Sequence, residues 1–413
     1  MDILEKAYEQ AKIVLEKNQT KLGFSATPER HVNYYSVWAR DHAITSLGAI
    51  LTNDEQLIET AQKGIFTLLK AQEYNGQVPT YIEIESKKRV YGGLGSITSI
   101  DSNMWVLISA AQIYKRTKNK KFLDTKRINN YRRLYKLLRA FDSNNCGLLE
   151  SHIAGDWADV FKRTYHVLYD ECLYYEFLKS LEFLYTNAIT LKTCEPVLLE
   201  KIKKSLRHIL LRKRNVKKEI NRRFWITNHN KAQVAQEYMI QNSLEGTSPF
   251  YQSHLEPFEL TWEHRFESFG NILAIVTGIA DKKKKQSIIS HILYNKIDTP
   301  QLRILDPPVY EHDADWQKIY ATKEQPYVYH NGGSWPFITG FWIYALAKSK
   351  KKQLAKRKLK EFAHILENQQ WLFNEYFHGM TQEPLGRNNQ AWSAAGYIIA
   401  YHSIFHNYNV FSY

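Results

Sequence analysis

Apolar residues at helical spacing recur along this chain, and most of these stripes follow a loop crowded with polar and aromatic residues. In segment 53–72, Leu57, Ala61, Ile65 and Leu68 fall on one helical face. Segments 104–117, 171–189, 269–280, 335–349 and 390–405 repeat the pattern at intervals of roughly 30–40 residues. Strand-like alternation is scarce, and 18 glycines and 11 prolines in 413 residues leave few turn signals. Twelve helices sharing that length have about 34 residues each, loop included. The expectation is an all-α chain, six helical hairpins closed as an (α/α)6 toroid, with residues 1–413 forming one domain. Such a ring would gather its loops at one mouth, where a substrate can reach them.

Composition narrows the function classes. Three cysteines (Cys146, Cys172, Cys194) without a CxxC spacing exclude a disulfide scaffold and a zinc ribbon and fit a reducing compartment. The first nineteen residues read as an amphipathic helix rather than a signal peptide. No apolar run reaches the roughly 18–20 residues a membrane span needs. A cytoplasmic protein without membrane contact is therefore expected. The balance of 56 Lys+Arg against 42 Asp+Glu gives a net charge of +14, concentrated in 201–223, 281–285 and 348–360. In the first run Ile202, Leu206 and Leu210 keep helical spacing, so a solvated basic helix face is the favoured account over a nucleic-acid groove.

Five loops concentrate groups able to do chemistry. The first holds Trp38, Arg40, Asp41 and His42; an Arg beside an Asp offers donors and acceptors for vicinal hydroxyls, and Trp38 can stack on a sugar ring. Asp41 equally suits a helix N-cap, as does Asp101 beside Trp105 in the second loop. The third reads GDWADVFKR, with Asp156 and Asp159 flanking Trp157, ahead of Asp170 and Glu171. A carboxyl desolvated against Trp stays protonated and can serve as a general acid. The fourth, YHNGGSWP, offers Tyr329, His330, Asn331 and Trp335. In the fifth, Glu375 lies between Asn374 and Tyr376, with Glu383 as a competing base and Gln390 and Trp392 leading into the last stripe. Metalloprotease, P-loop, nucleophile-elbow and dinucleotide motifs are absent, and the fifteen histidines lack ligand spacing, so neither metal nor organic cofactor is expected.

Taken in order, VWARD, IDSNMW, GDWADVFKR with VLYD, RFESFG, YHNGGSWPF and NEYFHG with QAWSAAGY resemble the loops of amylo-α-1,6-glucosidase catalytic domains and their relatives, the neutral and alkaline invertases, glucoamylases and trehalases. The resemblance covers roughly residues 20–408 and implies an inverting glycosidase acting on an oligosaccharide or disaccharide. It implies Asp159 as general acid, with Asp156 in reserve, and Glu375 as general base. Trp38, Arg40, Asp41, Asp101, Asp156, Trp157, His330, Asn331, Trp335, Gln390 and Trp392 would line the sugar pocket. Release of α-linked glucose is the first expectation, sucrose cleavage the nearest rival, and a carbohydrate-binding toroid without turnover the third. Two departures stand out. His378 replaces an Asp usual in the fifth loop, and the further domains of complete debranching enzymes have no counterpart.

Overall fold

The structure is a computed structural model, and it describes all residues except 1, 32, 93–96, 98, 241–246 and 260–262. Part of the glycine-rich loop before Asp101 thus lies outside the described residues. The helices, in chain order, are α1 (Ile3–Lys17), α2 (Ala39–Ala49), α3 (Glu55–Lys70), α4 (Asp101–Thr117), α5 (Thr125–Ala140), α6 (Leu168–Leu191), α7 (Pro196–Arg223), α8 (Lys231–Tyr238), α9 (Ser268–Thr277), α10 (Lys282–Tyr294), α11 (Tyr320–Lys323), α12 (Pro336–Lys348), α13 (Lys352–Asn368) and α14 (Ala391–Phe405).

Burial sorts the twelve long helices into two layers. Every residue of α2 and α9 is buried, as is nearly all of α4, α12 and α14 and most of α6. Buried on most or all of their faces, these six pack against neighbours on every side. Helices α1, α3, α5, α7, α10 and α13 bury a single stripe and form the outer layer. The inner six touch in sequence, α2 on α4, α4 on α6, α6 on α9, α9 on α12, α12 on α14, and α14 back on α2. Helix α1 closes the outer layer by lying on α13 and α14. This is the (α/α)6 ring, and one contiguous apolar cluster runs through it from Leu4 to Phe411. Where α12 meets α14 the backbones nearly touch, and a Cβ on Gly340 would run into the backbone of Gly396. No described helix is long and apolar enough to cross a membrane. Strands are confined to short antiparallel ribbons in the loops, Ser36–Trp38 pairing with Tyr81–Glu83 just ahead of α2 and Tyr376–Phe377 with Pro384–Leu385 ahead of α14.

On basic α7 the inward positions are Ile202, Ile209 and Val216, seven residues apart, with Leu198 and Ile220 beyond them. The expected stripe through Leu210 is corrected: Leu210 is exposed and Leu206 half-buried, because the helix turns its seven-residue face to the core.

The layers differ in how their N-terminal amides are satisfied. Three of the six outer helices, α3, α5 and α10, carry side-chain caps, with Asp54, Asp124 and Asp281 accepting from first-turn N–H groups. Of the inner helices, only α9 has a side-chain cap, from Glu267. The amides that open the others are taken largely by carbonyls of neighbouring loops: Ala39 donates to Thr80, Ile100 to Gly155, Leu168 to Ser253 and Ala391 to Ala26. The same stitch joins Ser268 to Ile304. Asp41 and Asp101 therefore sit inside the first turns of α2 and α4 rather than at the N-cap positions, which Trp38 and Ile100 occupy. Their carboxylates are left for other work.

Candidate active site

Asp159 lies on the turn between Trp157 and Phe161 and is half-buried. Burial, with help from the charges of Asp156 and Asp101 and against the pull of Arg40, pushes its carboxyl up to about 6. Its Oδ1 is buried with no hydrogen-bond partner. Asp156, the reserve candidate for the acid, is differently placed. Arg163 Nε and Nη2 grip its two oxygens at 2.9 and 2.8 Å, and the Ala158 N–H adds a bond of 2.7 Å. Both oxygens of this carboxylate are therefore taken by protein donors in a bidentate clamp. Asp156 anchors the loop that carries Asp159.

Glu375 is held from across the mouth. Its N–H donates to the Arg387 carbonyl, and the Tyr34 hydroxyl donates to Oε1 at 3.1 Å and Oε2 at 3.2 Å. The Arg387 N–H also donates to Oε2, at 3.2 Å. Burial raises its carboxyl to about 7, the Arg387 amide and Tyr34 working in the opposite direction, and both Asp41 and Asp159 lie within electrostatic reach. Gly386, at φ +72°, runs so close beneath that a Cβ there would collide with Oε2. Glu383, the competing base, is exposed at the surface. His378, the departure from the expected Asp, accepts the Met380 and Thr381 amides on Nδ1 at 3.2 Å each. It supplies the turn-closing acceptor that an Asp would supply.

Arg40 and Asp101 form a buried pair, Nη1 reaching the two carboxylate oxygens at 2.9 and 3.2 Å. Tyr169 at 2.8 Å and Ser99 at 2.7 Å complete the shell of Asp101. Asp101 thus orients Arg40, whose Nε is buried and unpartnered. Next to it, burial lifts Asp41 to about 6, Arg40 opposing. Trp38 is half-buried, its ring stacked on Tyr81 at 4.4 Å and its Nε1 donating to the Asn33 carbonyl.

Several of the residues expected to touch sugar pack together at the floor of the mouth. Trp157 stands edge-on to His330 and Trp335, with centroids at 5.0 and 5.5 Å, and also meets Phe269 and Phe337. Trp335 lies parallel to His330 and donates Nε1 to the Tyr329 carbonyl. Trp392 stacks on Phe337 at 4.3 Å. His330 Nδ1 is 2.8 Å from Glu324, and burial drives the imidazole well below its ordinary value, so it is neutral. Asn331 spends its whole amide on backbone, donating to Val309 and Glu324 carbonyls and accepting the Val309 N–H. It locks the loop, and no group is left over for a ligand. Gln390 sits at the N-cap of α14 with Oε1 buried and unpartnered.

Tyr34, Arg163, Glu324 and Gly386 contact the candidate residues directly although the sequence did not mark them as site residues. The Tyr34-Tyr35 pair beside the first loop was the available signal for Tyr34; Glu324 had none, because its partners are set by tertiary folding. Tyr329, which the sequence places in the fourth loop without a role, lies within electrostatic reach of both Asp159 and Glu375. Loops around the mouth also leave Trp157 Nε1, Trp392 Nε1 and Asn374 Oδ1 buried and unsatisfied. Each such group costs about 1–3 kcal/mol unless a ligand or water meets it. Among the described residues no His, Cys, Asp and Glu side chains converge as a metal site.

Comparison with known proteins bears on the fold and the family. Over 153 residues, 35% of this chain, the sequence is 30% identical to the neutral/alkaline invertase 1 of Oryza sativa subsp. japonica, described as mitochondrial, and it spans 23% of that protein. A cytosolic invertase 1 from the same plant is 28% identical over 159 residues, 37% of this chain and 27% of its own. The matched segment thus covers about a quarter of these curated relatives. The fold is that of a GH63 mannosylglycerate hydrolase from Thermus thermophilus, solved in complex with glucose (TM-score 0.64, 14% identity, 95% of this chain and 98% of that one). A bacterial glucoamylase solved with acarbose superposes equally well (TM-score 0.64, 14% identity, 100% of this chain and 57% of that one). The family described as alkaline and neutral invertase matches residues 5–407, nearly the full length, and the chain belongs to that family of six-hairpin glycoside hydrolases.

Proposed function

We propose that the protein hydrolyses sucrose with inversion, Asp159 acting as general acid and Glu375 as general base. The observation that carries this reading is the pair itself. Two carboxyl groups, Glu375 buried and Asp159 half-buried with one oxygen out of reach of solvent, have their acidities moved to about 7 and about 6, and the charge of Asp159 reaches Glu375. In the reaction, protonated Asp159 gives its proton to the glycosidic oxygen as the bond to the glucosyl C1 breaks. Glu375 takes a proton from a water attacking C1 on the opposite face. The buried carboxylates around the mouth, Asp41 and Asp101 among them, favour the positive charge that develops on the sugar ring. Arg40 Nε and Asp41 are the groups free to grip glucosyl hydroxyls.

Sucrose is preferred to an α-1,6-linked oligosaccharide because the matching family is the invertase one. Proton NMR of a digest tests both parts of the reading. Glucose and fructose should appear in equal amounts, with β-glucose as the first anomer. First-formed α-glucose would overturn inversion, and release of glucose from isomaltose or panose but not sucrose would return the substrate to the α-1,6 class. Loss of all turnover in Glu375→Gln with unchanged folding would support the assigned base.

A further inference from the structure

The basic run on α7 faces a second basic surface on α5, and a cavity of about 310 Å³ opens between them. Arg132, Tyr135, Lys136 and Arg139 occupy one face of α5 at i, i+3, i+4 and i+7. Ser205 and His208, one turn apart on α7, line the other wall. Tyr185 of α6 forms the base. No carboxylate lines the cavity, and among the described residues none pairs with its three cations; Arg132 donates only to the Asn129 amide oxygen. Like-charged groups gathered without counter-ions are unfavourable in the free protein and favour an anion. A second observation is independent of the charge. Tyr185 is fully buried, its hydroxyl has no hydrogen-bond partner, and the Tyr135 hydroxyl beside it is also unsatisfied.

We propose that this cavity binds a phosphate monoester carried on a small polar body, such as a sugar phosphate. The guanidinium groups and Lys136 meet the charge, and the tyrosine hydroxyls donate to the phosphate oxygens. Concavity and size argue for a compact ligand rather than a nucleic-acid strand, which would need a stripe of charge. The site is separate from the catalytic one. Tyr185 lies sixteen residues along α6 from Tyr169, which contacts Asp101, so about 24 Å of helix separates them.

Isothermal titration of the whole protein with glucose 6-phosphate is the test, with glucose as the uncharged control. A parallel arm uses vesicles containing phosphatidylinositol 4-phosphate, since a lipid headgroup presents the same monoester. The expected result is saturable one-to-one binding to the sugar phosphate or to the vesicles, absent with glucose and with plain phosphatidylcholine vesicles. Lys136→Gln with Arg139→Gln, both exposed and remote from the core, should weaken it at least about tenfold, and Tyr185→Phe about fivefold or more. Absence of binding in both arms, or binding unchanged in these variants, overturns the proposal. Binding only to a single-stranded oligonucleotide, falling steeply with salt, also overturns it and makes the face a polyanion surface.

Discussion

Removing the Tyr34 hydroxyl tests how the proposed catalytic pair, Asp159 and Glu375, divides its protons. With Asp159 at about 6 and Glu375 at about 7, the working state needs the stronger acid protonated and the weaker one ionised. At pH 6.5 each condition is met about a quarter of the time, so about 6% of free enzyme is competent, and kcat/KM should peak there between limbs near 6 and 7. Tyr34 donates to both Glu375 oxygens and favours the ionised form. A hydrogen bond to a charged group is worth about 1.5–3 kcal/mol, so Tyr34→Phe should raise Glu375 by about 1–2 pKa units. The competent fraction would then fall from about 6% to about 0.8% or 0.1%, lowering the peak roughly 7- to 60-fold. Meanwhile the alkaline limb should move up to about 8–9 while the acid limb stays, so the profile broadens as it shrinks. The assay is kcat/KM for sucrose from pH 5 to 10. A profile that narrows from its acid side would show that Glu375 governs the lower limb, and an unmoved profile would show that Tyr34 does not tune the base; either refutes the argument.

Asp159→Asn should lose sucrose turnover yet retain hydrolysis of α-glucosyl fluoride, whose leaving group needs no proton, whereas Glu375→Gln should lose both; fluoride release measured by electrode separates them. Gly386→Ala places a Cβ on Glu375 Oε2 at a backbone φ of +72°, so kcat should drop about a hundredfold with KM little changed, as steady-state kinetics will show. Asp156→Ala removes the bidentate partner of buried Arg163 and leaves it only Glu267 at 3.6 Å, and a denaturant melt should register a loss of about 3 kcal/mol. Asn331→Ala should show its main effect in the same melt, by about 2–4 kcal/mol, rather than in KM, because its three bonds all go to backbone.

The helical layers were legible because burial on one face or on all faces leaves a periodic mark: Leu57, Ala61, Ile65 and Leu68 are all fully buried. Closure was not legible, since nothing in α1 announces that it will lie against α14. The loops of the candidate site stood out by composition, but a side chain's occupation is a tertiary matter. Asn331 and Asp156 look like free polar groups until Val309 and Arg163 are in place. Asp41 and Asp101 read equally well as caps, and were decided by loop carbonyls that took the amides first. Tyr34 shows the converse: a half-buried tyrosine acquires meaning only from a glutamate more than three hundred residues away.

The carbonyl stitches at the mouth bear on when the enzyme becomes an enzyme. Outer helices such as α3 and α5 carry their own aspartate caps and can be finished locally. An inner helix waits for another segment of chain, and the Ala391 amide closes onto Ala26, joining the last inner helix to the strand of chain ahead of the first. Tyr34 and Glu375 meet across that same seam. A nascent chain halted before residue 390 would therefore hold Asp159 and Arg40 but an unsealed ring, and activity would arrive as a single step at closure rather than accumulate with length. The proposed chemistry would be a property of the completed circle.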